Sequence, residues 1–161
     1  MSKPKIYLET TIFNFPFADD APELKADTLE LFDAIKAGKY EPYTSSYVLE
    51  ELENTKQHEK LEKMKGLIQE HNIRIIPFSG EAEKLAMLYI AEGVINRKYA
   101  TDSYHIAITT VYQLDFIVSL NFQHIVRQKT IRETARINER EGYRRIGIYE
   151  PWEVINEKNS E

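Results

Sequence analysis

The sequence contains no cysteine, which excludes disulfide bridges and zinc sites built from thiolates. This absence also fits a reducing compartment, so we expect a cytoplasmic protein. Glycine and proline are scarce, at six residues each, unlike in a disordered or fibrous chain. No apolar run approaches the ~20 residues that a membrane helix needs, and the first residues, MSKPKIYLE, lack the apolar core of a signal peptide. We therefore expect no membrane association.

Motifs of several enzyme classes are also missing. Neither Gly-rich phosphate loop, GxGxxG or GxxxxGK[ST], is present, which argues against the nucleotide-cofactor folds. The GxSxG motif of serine hydrolases is absent too. No two histidines are four residues apart, so a zinc site on one helix face has little support; the four are His58, His71, His105 and His124.

What remains is the composition of a globular protein, with 42% hydrophobic and 29% charged residues. A chain of 161 residues is close to the usual length of one compact domain. At this size roughly 68 to 70% of the unfolded surface becomes buried, which is enough for a substantial core. We therefore expect a single domain that spans residues 1–161.

Short apolar runs alternate with stretches of helical period, a pattern typical of βα units that build a parallel sheet. We predict strands over residues 6–8, near 43–44, and over 73–78, 116–120 and 145–149. Predicted helices cover residues 23–37, 47–54, 56–70, 81–91, 102–112 and 131–141. The expected N-caps are Ser45 or Ser46, Ser79 and Thr101. Five strands and about six helices predict an α/β fold with three α/β/α layers around a central five-stranded parallel sheet.

Acidic and amide side chains fall where such a sheet binds ligands, at the carboxyl ends of its strands. Glu9 ends the first predicted strand and Asn121 follows the fourth. Glu50 and Glu51 lie on the helix after the second strand, and Asp102 lies in the first turn of another helix. Each residue alone also fits a solvated strand end, a helix-dipole contact or an exposed helix face. Together they predict one rim where four distant segments converge.

Carboxylates brought together in this way need a cation. Two of them repel by about 4 kcal/mol at ~4 Å with an effective dielectric constant near 20. Sites that are rich in oxygen and free of sulfur select hard ions, and Mg²⁺ or Mn²⁺ suits a site with few carboxylates. Such an ion lowers the pKa of a bound water and neutralises charge on a phosphate, so phosphodiester hydrolysis is the predicted chemistry.

A basic segment indicates that the substrate of this chemistry is a nucleic acid. The segment is local, because the formal net charge of the whole chain is −5. Between Arg127 and Arg145 there are seven basic and three acidic residues, a local charge of +4. Helical spacing places four of them where they can follow a nucleic-acid backbone: Lys129, Arg132, Arg136 and Arg140. The alternative is a solvated face whose cations pair with Glu133 and Glu139.

Four stretches of the chain, in this order, resemble the PIN domains, a family that includes the VapC-like toxins of toxin-antitoxin pairs. They are IYLETTIFN, YTSSYVLEELENT, ATDSYHIAIT and FIVSLNFQHIV, and they extend over most of the sequence. None of these short motifs is specific by itself. The set, in this order and on these predicted elements, is fairly specific.

In that family an acid followed by Thr or Ser ends the first strand, and a Ser-x-x-x-x-x-Glu stretch supplies a second acid. An Asp-x-x-His-x-Ala helix supplies the third acid, and an acid or Asn follows the fourth strand. The matching residues are Glu9, Thr10, Thr11, Ser45, Glu51, Asp102, His105, Ala107 and Asn121.

The resemblance implies a metal-dependent ribonuclease that hydrolyses single-stranded RNA, forms a homodimer and has an antitoxin protein as a partner. It implies that Glu9, Glu51 and Asp102 hold one or two Mg²⁺ or Mn²⁺ ions. Thr11 and Asn121 are then expected in the outer shell of the same catalytic site.

Two residues depart from the family pattern. The first acid is usually Asp, and Glu9 is one methylene longer, while Asn121 contributes no charge. The competing hypothesis is therefore a catalytically weak or inactive PIN-like module that binds RNA or protein for regulation.

A receiver-like phospho-acceptor domain is a third hypothesis, because it also has a five-stranded parallel sheet. That fold expects an Asp at the end of the third strand and a Lys at the end of the fifth. Here the third strand closes on Pro77, Phe78 and Ser79, and the fifth closes on Glu150 and Pro151, so the sequence does not fit.

Overall fold

A five-stranded parallel β-sheet forms the centre of the computed structural model, which describes residues 2–157. Its order is β3-β2-β1-β4-β5, so β1 lies in the middle. Tyr7 of β1 pairs with Tyr43 of β2 on one side and with Ile117 of β4 on the other. The strands are β1 (Lys5–Leu8), β2 (Glu41–Ser45), β3 (Arg74–Ile76), β4 (Phe116–Val118) and β5 (Gly147–Tyr149).

Helices flank this sheet and complete the predicted three-layer α/β/α fold. In residues 2–157 the α-helices are α1 (Thr10–Asn14), α2 (Pro22–Lys36), α3 (Ser46–Leu52), α4 (His58–Glu70), α5 (Gly80–Ala91), α6 (Ala100–Val111), α7 (Gln128–Arg140) and α8 (Pro151–Glu157). Two 3₁₀ turns, Phe15–Phe17 and Arg97–Tyr99, precede α2 and α6. None of the helices described is both long and apolar enough to cross a bilayer.

The hydrophobic core is centred on β1. Its residues Ile6, Tyr7 and Leu8 are completely buried, and so are Ile117 and Val118 of the neighbouring β4. Successive side chains of a strand point to opposite faces, so full burial of three in a row requires cover on both faces. The apolar runs that predicted central strands therefore lie where helices pack on both sides.

The predicted N-caps are confirmed at two of the three helices. The Ser45 hydroxyl accepts a hydrogen bond from the Val48 amide at 3.2 Å and begins α3, which decides between Ser45 and Ser46. Ser79 begins α5 by accepting from the Ala82 amide at 3.1 Å. The prediction for Thr101 is wrong, because α6 begins at Ala100 and Thr101 is already inside the helix.

The estimate of about six helices is also too low, because α1 and α8 were not predicted. The segment that forms α1, TTIFN, is rich in β-branched and aromatic residues, which favour strands over helices. It is helical because the Glu9 carboxylate accepts a hydrogen bond from the Thr11 amide and caps the turn. The first residue of α8 is Pro151, a position where proline is well tolerated because no amide is needed there.

Ser45 both caps α3 and contacts the Tyr7 hydroxyl at 2.7 Å, so we expect the substitution Ser45→Ala to destabilise the protein. The free energy of unfolding should fall by about 1 to 3 kcal/mol, because the variant has neither the cap nor the buried hydrogen bond. The matched control Ser46→Ala should change it by less than about 0.5 kcal/mol. Urea denaturation measures both, and an equal fall for the two variants would contradict Ser45 as the cap.

Candidate active site

The order of the strands reverses at the carboxyl ends of β1 and β4. From the central β1, the chain builds β2 and β3 on one side and β4 and β5 on the other. In open parallel sheets, the crevice where the strand order reverses in this way is the usual ligand site. Glu9 and Ser119 follow the two strands directly, and the Glu9 amide donates to the Val118 carbonyl at 3.1 Å. The crevice therefore has a carboxylate at its base.

Glu9 is buried, with 4% of its surface exposed, and hydrogen bonds hold one oxygen of its carboxylate. Oε1 accepts from the Thr11 hydroxyl at 2.6 Å, the Thr11 amide at 3.2 Å and the Ser119 hydroxyl at 2.7 Å. Thr11 Oγ1 in turn accepts from the Leu120 amide at 2.9 Å. No hydrogen bond within residues 2–157 reaches Oε2, so this oxygen is left for another ligand.

Asp102, in the first turn of α6, lies within electrostatic reach of Glu9. Burial raises the pKa of Asp102, and the negative charge of Glu9 raises it further. The charges of His105 and His124, together with a hydrogen bond from Asn121, oppose this effect without cancelling it. Two carboxylates from distant parts of the chain thus repel each other in one pocket.

Glu51 reaches the same region but is paired with a histidine. Its Oε1 lies 2.7 Å from His105 Nε2 and also accepts from the Thr10 hydroxyl, whereas Glu50 is exposed to solvent. Burial alone would raise the pKa of Glu51, but the hydrogen bond and charge of His105 outweigh it, and the net pKa is lowered. Glu51 is therefore held as a carboxylate.

His105 joins this carboxylate to a buried chain of hydroxyl groups. Its Nδ1 lies 2.7 Å from the Tyr7 hydroxyl, which lies 2.7 Å from Ser45 Oγ. Burial lowers the pKa of His105, but the hydrogen bond and charge of Glu51 more than compensate, so the net pKa is raised. Burial also raises the pKa of Tyr7, which keeps its hydroxyl neutral. These hydrogen-bonded hydroxyl groups orient His105 and, through His105, the Glu51 carboxylate.

Asn121 lies beside Asp102 and shapes the turn after β4. The side-chain Oδ1 of Asn121 accepts from the His124 amide at 3.0 Å, and the backbone amide of Asn121 donates to Ser119 Oγ at 3.0 Å. Its side chain also hydrogen-bonds Asp102. The carbonyl oxygen of the Asn121 side chain thus already accepts one hydrogen bond within the protein.

The oxygen atoms of the pocket suit a hard cation. Glu9 and Asp102 offer oxygen ligands whose mutual repulsion a divalent ion would relieve, which fits Mg²⁺ or Mn²⁺. Within residues 2–157, however, no three acidic or histidine side chains are grouped as ligands of one ion. Glu51 instead has Oε1 engaged by Thr10 and His105. The pocket thus fits an ion held by two carboxylates and completed by water.

The predicted RNA-binding face lies on α7, and most of its cations have carboxylate partners. Arg136 lies 2.9 Å from Glu133 and 3.3 Å from Glu92 of the segment after α5. Arg140 pairs with the same Glu92, and Arg132 lies 3.8 Å from Glu133. The remaining predicted residue, Lys129, is exposed at the start of the helix.

Sequence reasoning missed two residues that position the predicted acids, Ser119 and Tyr7. Ser119 interrupts the apolar run FIVSL just where β4 ends, so its polarity was a usable signal. Tyr7 lies in the apolar run IYL and gave no sign that its hydroxyl reaches His105. Contacts of this kind depend on which strands are neighbours.

Removing the charge of Asp102 should stabilise the metal-free protein. In EDTA, we expect Asp102→Asn to raise the free energy of unfolding near pH 7 by roughly 0.5 to 2 kcal/mol, because it relieves the repulsion by Glu9 and the cost of burial. The raised pKa means that the folded wild type takes up a proton as the pH falls, so its own penalty disappears and the gain should shrink toward about pH 4.

The matched control for this experiment is Asp33→Asn, which changes an exposed acid on α2. It should alter the free energy of unfolding by less than about 0.5 kcal/mol at either pH. A fall in stability for Asp102→Asn near pH 7 would contradict the conclusion that burial and the charge of Glu9 disfavour the ionised Asp102 carboxylate.

Similarity to known proteins is confined to solved structures. No protein-family model matches the chain, and no curated protein is significantly similar to it. Among solved structures, VapC20 of Mycobacterium tuberculosis, described as a Sarcin-Ricin loop cleaving toxin, superposes with a TM-score of 0.53 at 18% identity, over 70% of this chain and 86% of its own. VapBC2 of Rickettsia felis, bound to a DNA fragment from its promoter, gives 0.49 at 20% identity over 91% and 98%. The chain has a VapC-like PIN-domain fold.

Proposed function

We propose that this protein is a Mg²⁺- or Mn²⁺-dependent endoribonuclease that hydrolyses phosphodiester bonds of single-stranded RNA. The observation that carries the proposal is the buried Glu9 carboxylate at the point where the strand order reverses, whose negative charge acts on the partly buried Asp102. A buried pair of like charges costs stability, and such pairs concentrate at functional sites. The fold adds support by analogy only, because one fold hosts many functions.

In the proposed site, Glu9 and Asp102 hold the divalent ion, and Glu51 completes the acidic wall. A bound ion would lower the pKa of a water molecule and neutralise charge on the phosphate. The Thr11 and Ser119 hydroxyls fix Oε1 of Glu9, which keeps the carboxylate in one orientation. Asn121 orients Asp102 by a hydrogen bond.

His105 is a positioning residue in this proposal. It lies between the Glu51 carboxylate and the Tyr7 hydroxyl, at 2.7 Å from each, and is completely buried. Fixed groups of this kind lower the cost of reorganisation when charge develops on the reacting phosphate. Glu51 is thereby held ionised at the edge of the pocket.

The basic face of α7 is proposed to guide the RNA strand, through Lys129, Arg132, Arg136 and Arg140. Exposed ion pairs contribute only about 0 to 1 kcal/mol, so the arginines can exchange a carboxylate for a phosphate at little cost. The contacts would be to the RNA backbone and would carry no sequence preference.

The proposal extends to the biological setting that the motif resemblance implies. The protein would be the toxin of a toxin-antitoxin pair, a homodimer and a resident of the cytoplasm. Several exposed apolar side chains, including Trp152 at 54% and Ile75 at 47% exposure, are available for a second copy or an antitoxin.

Cleavage of labelled single-stranded RNA in the presence of Mn²⁺ tests the activity. We expect the wild type to cleave and Asp102→Asn to be slower by about 100-fold or more, since the variant lacks one of two charged ligands. Asp33→Asn, the exposed control on α2, should retain the wild-type rate. Equal rates for wild type and Asp102→Asn would remove the proposal.

The second candidate is a PIN-like module that binds RNA or protein without cleaving it. It is favoured by the engagement of Glu51 with His105, which leaves two carboxylates for an ion. Titration calorimetry with Mn²⁺ separates the candidates, because an enzyme of the proposed kind should bind the ion stoichiometrically through Glu9 and Asp102. A module without catalysis should show no such binding.

A further inference from the structure

A cavity of about 570 Å³ lies between the segment that follows α5 and the start of α7. Three of its lining residues are cationic, Arg97, Arg127 and Lys129, and its other polar residues are Asn96 and His124. None of its lining residues is acidic, although the protein as a whole has a formal net charge of −5. A concave surface with uncompensated positive charge concentrates anions.

The charges at this cavity differ from those on the rest of α7. Arg132, Arg136 and Arg140 each lie within 4.0 Å of a carboxylate. Within residues 2–157, no carboxylate forms a salt bridge with Arg97, Arg127 or Lys129. The unpaired positive charge in this region is therefore gathered around the cavity.

Arg127 is fixed in the cavity wall by hydrogen bonds to neutral groups. Its Nη2 donates to the Val94 carbonyl at 3.0 Å and its Nε donates to Thr130 Oγ1 at 2.8 Å. These bonds orient the guanidinium without neutralising it. A planar guanidinium that is already oriented gives up little freedom when it binds a phosphate.

The cavity adjoins the candidate active site through the turn between Asn121 and His124. The His124 amide donates to Asn121 Oδ1 at 3.0 Å, and Asn121 hydrogen-bonds Asp102. The charge of His124 also lowers the pKa of Asp102, which places the imidazole within electrostatic reach of that carboxylate. The His124 side chain thus lines the cavity and also acts on Asp102 in the candidate active site.

Two stacked aromatic rings lie beside the cavity, at His124. The rings of Tyr99 and His124 are stacked, with centroids 4.0 Å apart and an angle of 26° between their planes. Tyr99 remains 39% exposed, and Lys98 Nζ lies over its ring at 5.8 Å from the centroid, so a planar group can stack there when this flexible side chain moves aside. Stacking of bases on aromatic side chains is a common way to bind single strands.

We propose that this cavity binds one backbone phosphate of a single-stranded RNA whose neighbouring phosphate lies at Glu9 and Asp102, and that an adjoining base stacks on Tyr99. The assignment rests on the proposed function for the identity of the strand. It adds a subsite in which Arg97, Arg127 and Lys129 position the substrate. The turn from Asn121 to His124 lies between this subsite and Asp102.

The test is a change in the affinity for RNA and in its salt dependence. The double variant Arg97→Gln/Lys129→Gln and the wild type are titrated into fluorescein-labelled single-stranded RNA in EDTA, and binding is followed by anisotropy while gels check that the RNA stays intact. Because the variant lacks two cations that bind phosphate, we expect its binding to be about tenfold weaker at ~50 mM salt and the slope of log K against log salt to decrease by about 1.4.

A matched control removes the same two kinds of charge at the opposite edge of the sheet. Lys5 begins β1 and Arg145 precedes β5, and both are exposed. The variant Lys5→Gln/Arg145→Gln should bind RNA within about twofold of the wild type, because a change in overall charge alone acts weakly on a local contact.

Tyr99 supplies an independent measurement. Tyr99→Ala should weaken RNA binding roughly five- to a hundredfold, the usual effect of removing a stacked aromatic ring, with an unchanged salt slope. Tyr99→Phe keeps the ring and should bind like the wild type. An equal weakening in the two variants would overturn the stacking part of the proposal.

The outcomes separate this proposal from the proposed function. If the wild type cleaves RNA but the cavity variant keeps its affinity and slope, or the control is weakened as much, the subsite is overturned and the nuclease stands. If the wild type fails to cleave but binding depends on Arg97 and Lys129 as expected, the phosphate site in the cavity is supported and only the proposed nuclease activity is overturned. Absence of RNA binding by the wild type would overturn the subsite.

Discussion

The buried carboxylate of Glu9 is the interaction on which the arrangement of the pocket depends. It accepts hydrogen bonds from Thr11 on one side and Ser119 on the other, so it caps α1 and ties the end of β1 to the end of β4. A charge at 4% exposure needs such partners, because an unpaired buried ion is costly. The same charge repels Asp102, and the repulsion is the part of the cost that hydrogen bonds do not remove.

The carboxylates of Glu51 and Asp102 differ in how the protein compensates their buried charge. Around Glu51, a histidine and a chain of hydroxyls through Tyr7 pair the carboxylate within the protein. Around Asp102, burial and the nearby Glu9 leave a carboxylate with a raised pKa. Stability is thus given up at Asp102, which is where the proposed divalent ion would be held. Such a trade between stability and activity is common in active sites.

Charge on the basic segment follows a similar division. The arginines in the middle and at the end of α7 pair with Glu92, Glu133 or Glu141 and contribute to the surface of the helix. The cations at its start line a cavity without acidic residues. The charge count of residues 127–145 is a net +4 and treats these two groups of cations alike, although within residues 127–140 only Arg127 and Lys129 lack a carboxylate partner.

The sequence by itself predicted five strands in their order along the chain, six of the eight α-helices of residues 2–157, and the parallel sheet. It also placed Glu9 and Asp102 at strand and helix ends, because hydrophobic period and cap residues are local properties. It did not predict α1, whose residues favour a strand and which is helical because Glu9 caps it. Only the tertiary structure decided that Glu51 pairs with His105, that Ser119 supports Glu9 and that Glu9 acts on Asp102. These contacts join residues from about 50 to 110 positions apart, and their distances follow from which strands lie side by side.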